Sequence, residues 1–370
     1  MTTGNIQPNK RTANVSSNQQ QAKKSPDIKT ADKEKKKRRN TFITVISISL
    51  VISIIIGLAY YLIYVMPFQK AFIQVDDDIV KIDYFLKRTL NSSSDSAIWD
   101  MMNTLVEELV VMQESTKYGI NVTDQDIENT LRNIAKGSSE SITDAEFAEW
   151  YRQLLNNSQL SDSQYRDFVK RTLLRQRMAQ LLADNTPNVA EQGHFWIIIV
   201  KTYDEAVAVK ERADNGEEFS SLARELSLDT VSGEQGGDMG WMPYGILEDR
   251  FLYVVSDLDI GKCSEPVINN PATESSNSNT TEDTTNYALL MVSEKDVARE
   301  VTAEQLEYLK AKAYNDWLNA QMETKVIKFY GLHGGGYDSE TDAWLSYQLE
   351  RLRKGISSET STESSDSSGQ

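Results

Sequence analysis

Between Ser232 and Phe251 the chain reads S-G-E-Q-G-G-D-M-G-W-M-P-Y-G-I-L-E-D-R-F. Four glycines, Gly236, Gly237, Gly240 and Gly245, are interleaved with Met239, Trp241, Met242, Leu247 and Phe251. Glycine permits positive φ and close backbone approach, so apolar side chains hung on such a loop converge into a shallow pocket instead of a stripe. The chemistry open to that pocket is non-covalent: it can hold an apolar group and remove water from a polar neighbour. Other chemistries are poorly supplied. Cys263 is the single cysteine, which leaves no intramolecular disulfide and no cysteine-based metal site. With His194 and His333 the sum of the histidines, a histidine metal cluster is implausible as well. Neither metal nor cofactor is expected.

The flanks extend the pattern. D-E-A-V-A-V-K-E-R-A-D-N-G-E-E-F-S-S-L-A-R-E-L-S precedes the loop, and I-G-K-C-S-E-P-V follows it at Ile260 to Val267. From about Phe195 to about Lys295 the order of strand, helix, G-E-x-F-x-x-L-A helix, G-G-D-x-G-W loop and S-E-P-V strand resembles the parvulin family of peptidyl-prolyl isomerases. The resemblance implies a small, mainly antiparallel sheet flanked by helices. It also implies a substrate pocket of Met239, Trp241, Met242, Leu247 and Phe251, with Asp229 in L-S-L-D-T at the acidic catalytic position. Such a catalyst acts on a rotation barrier of about 18–20 kcal/mol between isomers that differ by only about 0.5–1 kcal/mol. It need only stabilise the twisted amide, and no nucleophile or metal is required.

The family places one histidine on its first strand and another on its last. Aligning V-K-T at Val200 to Thr202 sets the first at Ile197, and aligning Y-A-L-L at Tyr287 to Leu290 sets the second at Ala288; both are replaced. His194 lies three residues earlier and reads as a solvated linker histidine. Loss of both histidines removes the network that would orient the loop carboxylate, so isomerase activity stays an open question at this point.

The elements that must position this loop follow from patterning. Residues 1–40 carry eleven Lys/Arg and three Asp/Glu, a net +8 within a chain of net −16, so the remainder is strongly acidic at −24. An acidic body argues against nucleic acid as a partner. The 1–40 stretch reads as a disordered basic tail, and residues 41–68 are free of charge over a length that spans a bilayer. Their order predicts a single-pass transmembrane helix with the N-terminus cytoplasmic and the main body extracytoplasmic. Residues 71–186 are helical in pattern. V-D-D-D-I-V-K-I-D-Y-F at Val75 to Phe85 and K-Y-G-I-N-V-T-D-Q-D-I at Lys117 to Ile127 resemble the N-terminal domain of the SurA and PrsA type of chaperone.

Thr186 to Gly193 reads as a linker into the inserted parvulin-like segment 190–298, with 269–285 a flexible insertion. A helix over 302–331 is set to return to the helical domain, and 333–370 reads as a flexible tail with a short helix. The fold class is therefore α+β. The leading reading is a membrane-anchored foldase that isomerises X-Pro bonds in unfolded, exported polypeptides. Two alternatives stand beside it: a parvulin-fold chaperone that binds clients without isomerising them, and an envelope scaffold docking through its C-terminal tail.

Overall fold

The structure, a computed structural model of the chain, describes residues 28–90, 97–270 and 285–366. The predicted tail over 1–27 and most of the predicted insertion, 271–284, lie outside the described residues. The chain divides into two compact units, Met1–Pro67 and Phe68–Gln370. In the first, α1 (Ile28–Tyr60) starts well before the apolar stretch, so helix replaces part of the tail read as disordered. A π turn and a 3-10 turn continue it, and Thr41–Gln69 is long and apolar enough to cross a membrane by length and composition.

The second unit is α+β, as the patterning implies. Its helical body opens with a hairpin, β1 (Ala71–Val75) and β2 (Asp78–Lys81), followed by α2 (Ile82–Thr89), α3 (Ala97–Ser115), α4 (Asp124–Lys136), α5 (Asp144–Ser158) and α6 (Asp162–Asp184). Three of these helices begin with reciprocal caps, Thr123 with Asp126, Thr143 with Glu146 and Ser161 with Gln164. Each cap satisfies two backbone donors that the first turn would otherwise leave unpaired. The core is built on Phe72, Phe85, Met102, Leu105 and Leu109, all essentially inaccessible.

The sheet domain follows: β3 (Val189–Val200), α7 (Tyr203–Asp214), α8 (Phe219–Leu226), α9 (Thr230–Glu234), β4 (Asp238–Pro243), α10 (Asp249–Val255), β5 (Val267–Asn270) and β6 (Asn286–Glu300). Its strands run antiparallel in the order β4-β3-β6-β5. The segment read as a linker is instead the first half of β3, paired with the far half of β6 from Ala190↔Arg299 to Gly193↔Lys295. Polar composition hid it. The buried amide of Gln192 donates to Arg299 O and Glu300 O, so polar pairing holds what apolar burial does not.

The chain then returns to the helical body. α11 (Ala303–Met322) packs on α3 and α6, where Tyr314 Oη donates to Glu107 at 2.5 Å and Trp317 Nε1 to Tyr118 Oη at 2.9 Å. The helix ends earlier than 302–331 suggests, because Ile327–Phe329 forms β7, the partner of β1 in the order β2-β1-β7. Nor is 333–370 a free tail. α12 (Ser339–Asp366) buries Leu345 and Leu349 in the main core, beside Phe68, Tyr337 and Trp344. Two apolar residues four apart lie on one helix face, and that face completes the body.

Candidate functional site

Strand β3 divides the sheet domain into two faces. Towards α10 point Phe195, Ile197, Ala288, Leu290 and Val292, and against them pack Met242, Leu247 and Phe251. Towards α7 and α8 point Ile198, Val200 and Leu289, joined by Cys263. Burial pushes the Cys263 thiol up to about 12.

The glycine loop is fixed to β3 at one point. Ile197 N donates to Gly237 O at 2.8 Å, and a Cβ on Gly237 would stand 2.5 Å from Ile197 O. With φ at +85°, that position admits glycine for two reasons at once, handedness and contact. From there β4 runs back along β3, pairing Trp196↔Asp238, Phe195↔Gly240, His194↔Trp241 and Gly193↔Met242, with a bulge between Phe195 and Trp196. Alternation along β4 then sends Met242 to the α10 face and Trp241 to the other.

Of the five residues named for the pocket, Met242, Leu247 and Phe251 come together, half-buried over Ile197 and Ala288. Met239 sits within the bulge and is exposed. Trp241 stands apart from them: its ring stacks on His194 at 5.6 Å and lies under the Arg299 guanidinium at 4.2 Å. Asp229 is the cap of α9; its two carboxylate oxygens accept from Val231 N at 3.2 Å and Ser232 Oγ at 2.5 Å. The loop carboxylate is thus committed to one backbone and one side-chain donor of its own helix.

The positions Ile197 and Ala288 are buried within the apolar face, where Tyr244, with its buried Oη unpaired among the described residues, also packs. His194 is not a linker residue. It lies in β3 with its side chain 19 % exposed, and its Nε2 donates to Asp238 Oδ1 at 2.7 Å. The same oxygen accepts from Gly240 N at 2.7 Å, so one carboxylate ties the histidine to the loop turn. The sequence signal for this pair was available: His194 and Asp238 flank strand segments whose register is set by the G-G-D turn. Arg250 was also missed. Its guanidinium lies 4.8 Å from the Phe251 ring centre and 2.8 Å from Glu248.

What this arrangement can do is hold a small apolar ring against Met242, Leu247 and Phe251 with the buried side chains of Ile197 and Ala288 behind it.

Comparison with known proteins bears on both halves of the second unit. Residues 199–278 match the rotamase family described as the PPIC-type PPIASE domain, and residues 95–179 match the SurA-like N-terminal domain. The foldase protein PrsA of Caldanaerobacter subterraneus is 25% identical over 206 residues, 54% of this chain and 64% of that protein. The PrsA of a Geobacillus species is 30% identical over 176 residues, 45% of this chain and 58% of its own length. The chain thus spans about three fifths of these relatives. The crystal structure of the peptidylprolyl isomerase PrsA from Bacillus anthracis aligns over 60% of this chain and 94% of its own, at 17% identity and a TM-score of 0.35.

Proposed function

We propose that this chain, which carries a parvulin-type domain and a SurA-like N-terminal domain, is a membrane-anchored foldase that isomerises X-Pro bonds in unfolded, exported polypeptides. The observation that carries the reading is the convergence of Met242, Leu247 and Phe251 over Ile197 and Ala288, on the glycine loop of the domain that the rotamase family matches. In this reading the prolyl ring lies on those three side chains. Twisting the amide breaks its conjugation and makes the carbonyl less polar, so a site that withholds water from that oxygen favours the twisted form over the planar one.

The proposal assigns 71–186 with 302–331 to client holding and 190–298 to isomerisation. Thr41–Gln69 serves as the anchor, with the basic segment on the cytoplasmic side by the positive-inside rule. Asp229 would act only by shaping the loop, since its oxygens already serve α9.

A second reading has its own support. Ile197 and Ala288 fill the family's histidine positions with buried hydrocarbon, which suits a domain that binds peptide without accelerating rotation. Prolyl cis/trans exchange, followed by NMR on a panel of X-Pro peptides with the intact chain and a Phe251→Ala control, separates the two. Acceleration that disappears in the control supports the enzyme. Peptide binding without acceleration leaves a holding chaperone.

A further inference from the structure

The helical body contains a groove of about 590 Å3, built by segments other than the glycine loop. Ile79, Val80 and Lys81 of β2 line one side of it, and Asp167 and Arg171 of α6 line the other. Consecutive residues of a strand point to opposite faces. Here Val80 is buried while Ile79 and Lys81 are exposed. A groove that touches all three therefore runs along the edge of the strand, not across one face. β2 ends the order β2-β1-β7 and, among the described residues, pairs with β1 alone. Such an edge offers backbone donors and acceptors to another extended chain.

The opposite wall supplies a matching group. Arg171 Nε donates to Asp167 Oδ2 at 2.7 Å, but its Nη1 is buried and meets no acceptor among the described residues. A guanidinium holds its donors in a fixed fork, so the bond from Nε to Asp167 fixes where Nη1 lies on a residue that lines the groove. Formal charges lining the groove balance, with Lys81 and Arg171 against Asp83 and Asp167. That balance suits a neutral, dipolar backbone better than an anion or a cation. Ile79, 53% exposed on the strand, adds an apolar contact.

We propose that the groove between β2 and α6 takes an extended segment of a client polypeptide as an added strand. Arg171 Nη1 donates to a carbonyl oxygen of that segment, and Ile79 meets one of its apolar side chains. The inference rests on the client-holding part of the function proposed above and names where holding occurs.

The test uses the full chain in detergent micelles and a short fluorescent peptide of Val, Thr and Ile that lacks proline. A photo-crosslinking residue is placed at its centre. Affinity is expected to fall about tenfold or more in Ile79→Asp and in Arg171→Met, and by a similar factor when alternate backbone nitrogens of the peptide are methylated. Crosslinks are expected on Ile79–Lys81 and on α6. The methylated peptide leaves the protein unaltered, so this arm holds even where Arg171→Met disturbs folding. Unchanged affinity for the methylated peptide and for Ile79→Asp overturns the proposal, as do crosslinks confined to the sheet domain or to a second copy of the chain. Because the peptide has no proline, the result is independent of catalysis. Groove binding without X-Pro acceleration would sink the isomerase alone, and acceleration without groove binding would sink the groove alone.

Discussion

The two faces of β3 differ in kind. On the α10 side the strand presents Phe195 and Ile197 to a hydrocarbon wall, and the candidate pocket rests on that wall. On the other side it presents His194 and Trp196, where the His194 ring meets the Trp241 indole at 5.6 Å, the Trp196 indole at 5.7 Å and the Asp238 carboxylate at 2.7 Å. The α10 face is thus apolar but for Tyr244, whose buried Oη meets no hydrogen-bond partner among the described residues, while the histidine–carboxylate pair lies behind it. The contrast teaches that the shape of this face depends on glycine geometry and on a carboxylate reached from the rear.

The hardest way to break this division is at Gly237. Gly237→Val adds a side chain 2.5 Å from Ile197 O at a left-handed backbone, and should cost about 4 kcal/mol from strain and overpacking together. Chemical denaturation should show it, with loss of peptide binding. Next comes an attempt to restore a polar floor. Ile197→His places an imidazole among Phe195, Leu290 and Val255, in an apolar cluster that also holds the buried Oη of Tyr244, unpaired among the described residues, and should cost about 2–3 kcal/mol. It should give no gain in X-Pro exchange; a faster variant would show that the dry face is a defect.

Phe251→Ala removes a half-buried ring and should lower stability by about 2 kcal/mol, less than the 3–5 of a fully buried one. Its effect on X-Pro exchange should be near complete under the isomerase reading. On the rear face, His194→Ala removes one hydrogen bond to Asp238 and should cost only about 1 kcal/mol. Hydrogen exchange at Gly240 N should rise in this variant, while Leu290 stays protected.

The last effect is one of pH and belongs to Cys263. Its thiol is held at about 12 by burial, whereas an unfolded cysteine titrates near 8.5. A folded pKa above the unfolded one means that the native state binds the proton more tightly. The contribution is therefore complete below about pH 8.5 and is lost as pH rises through the interval towards 12. The gap in melting temperature between wild type and Cys263→Ala, set by the buried thiol's packing, should stay constant below about pH 8.5 and narrow in that alkaline window, and maleimide should label the thiol only on unfolding.

Much of this was legible. The continuous run Trp196–Val200 reads as a central strand, and N-V-T-D-Q-D at 121–126 and Ser161 or Ser163 read as helix starts, because burial and capping leave local marks in composition. What failed were elements whose reasons are distant. Val189–Gly193 looks like a linker until β6 is laid beside it, and His194 was misread along with it. Val326 to Phe329 continued an apolar stripe by eye, yet β1 claims Ile327–Phe329 as a strand. Leu345 and Leu349 lie in a polar, Ser-rich region, and no local rule says that a core is waiting for them. At the site, the three pocket residues that converge were named from the resemblance. Trp241 turns to the opposite face from Met242 because neighbouring residues of a strand alternate, a consequence that appears once 238–243 is seen to be a strand.

The interrupted connectivity of the helical body has a consequence in time. Asp76 accepts a hydrogen bond from Val326 N, 250 residues further along, and β1 finds β7 only then. At synthesis rates of about 5–20 residues per second the wait is about 12–50 s. The sheet domain is one contiguous stretch and can close within that interval, while the hairpin still shows its unpaired side. Until then the β1 edge that β7 will cover stays open.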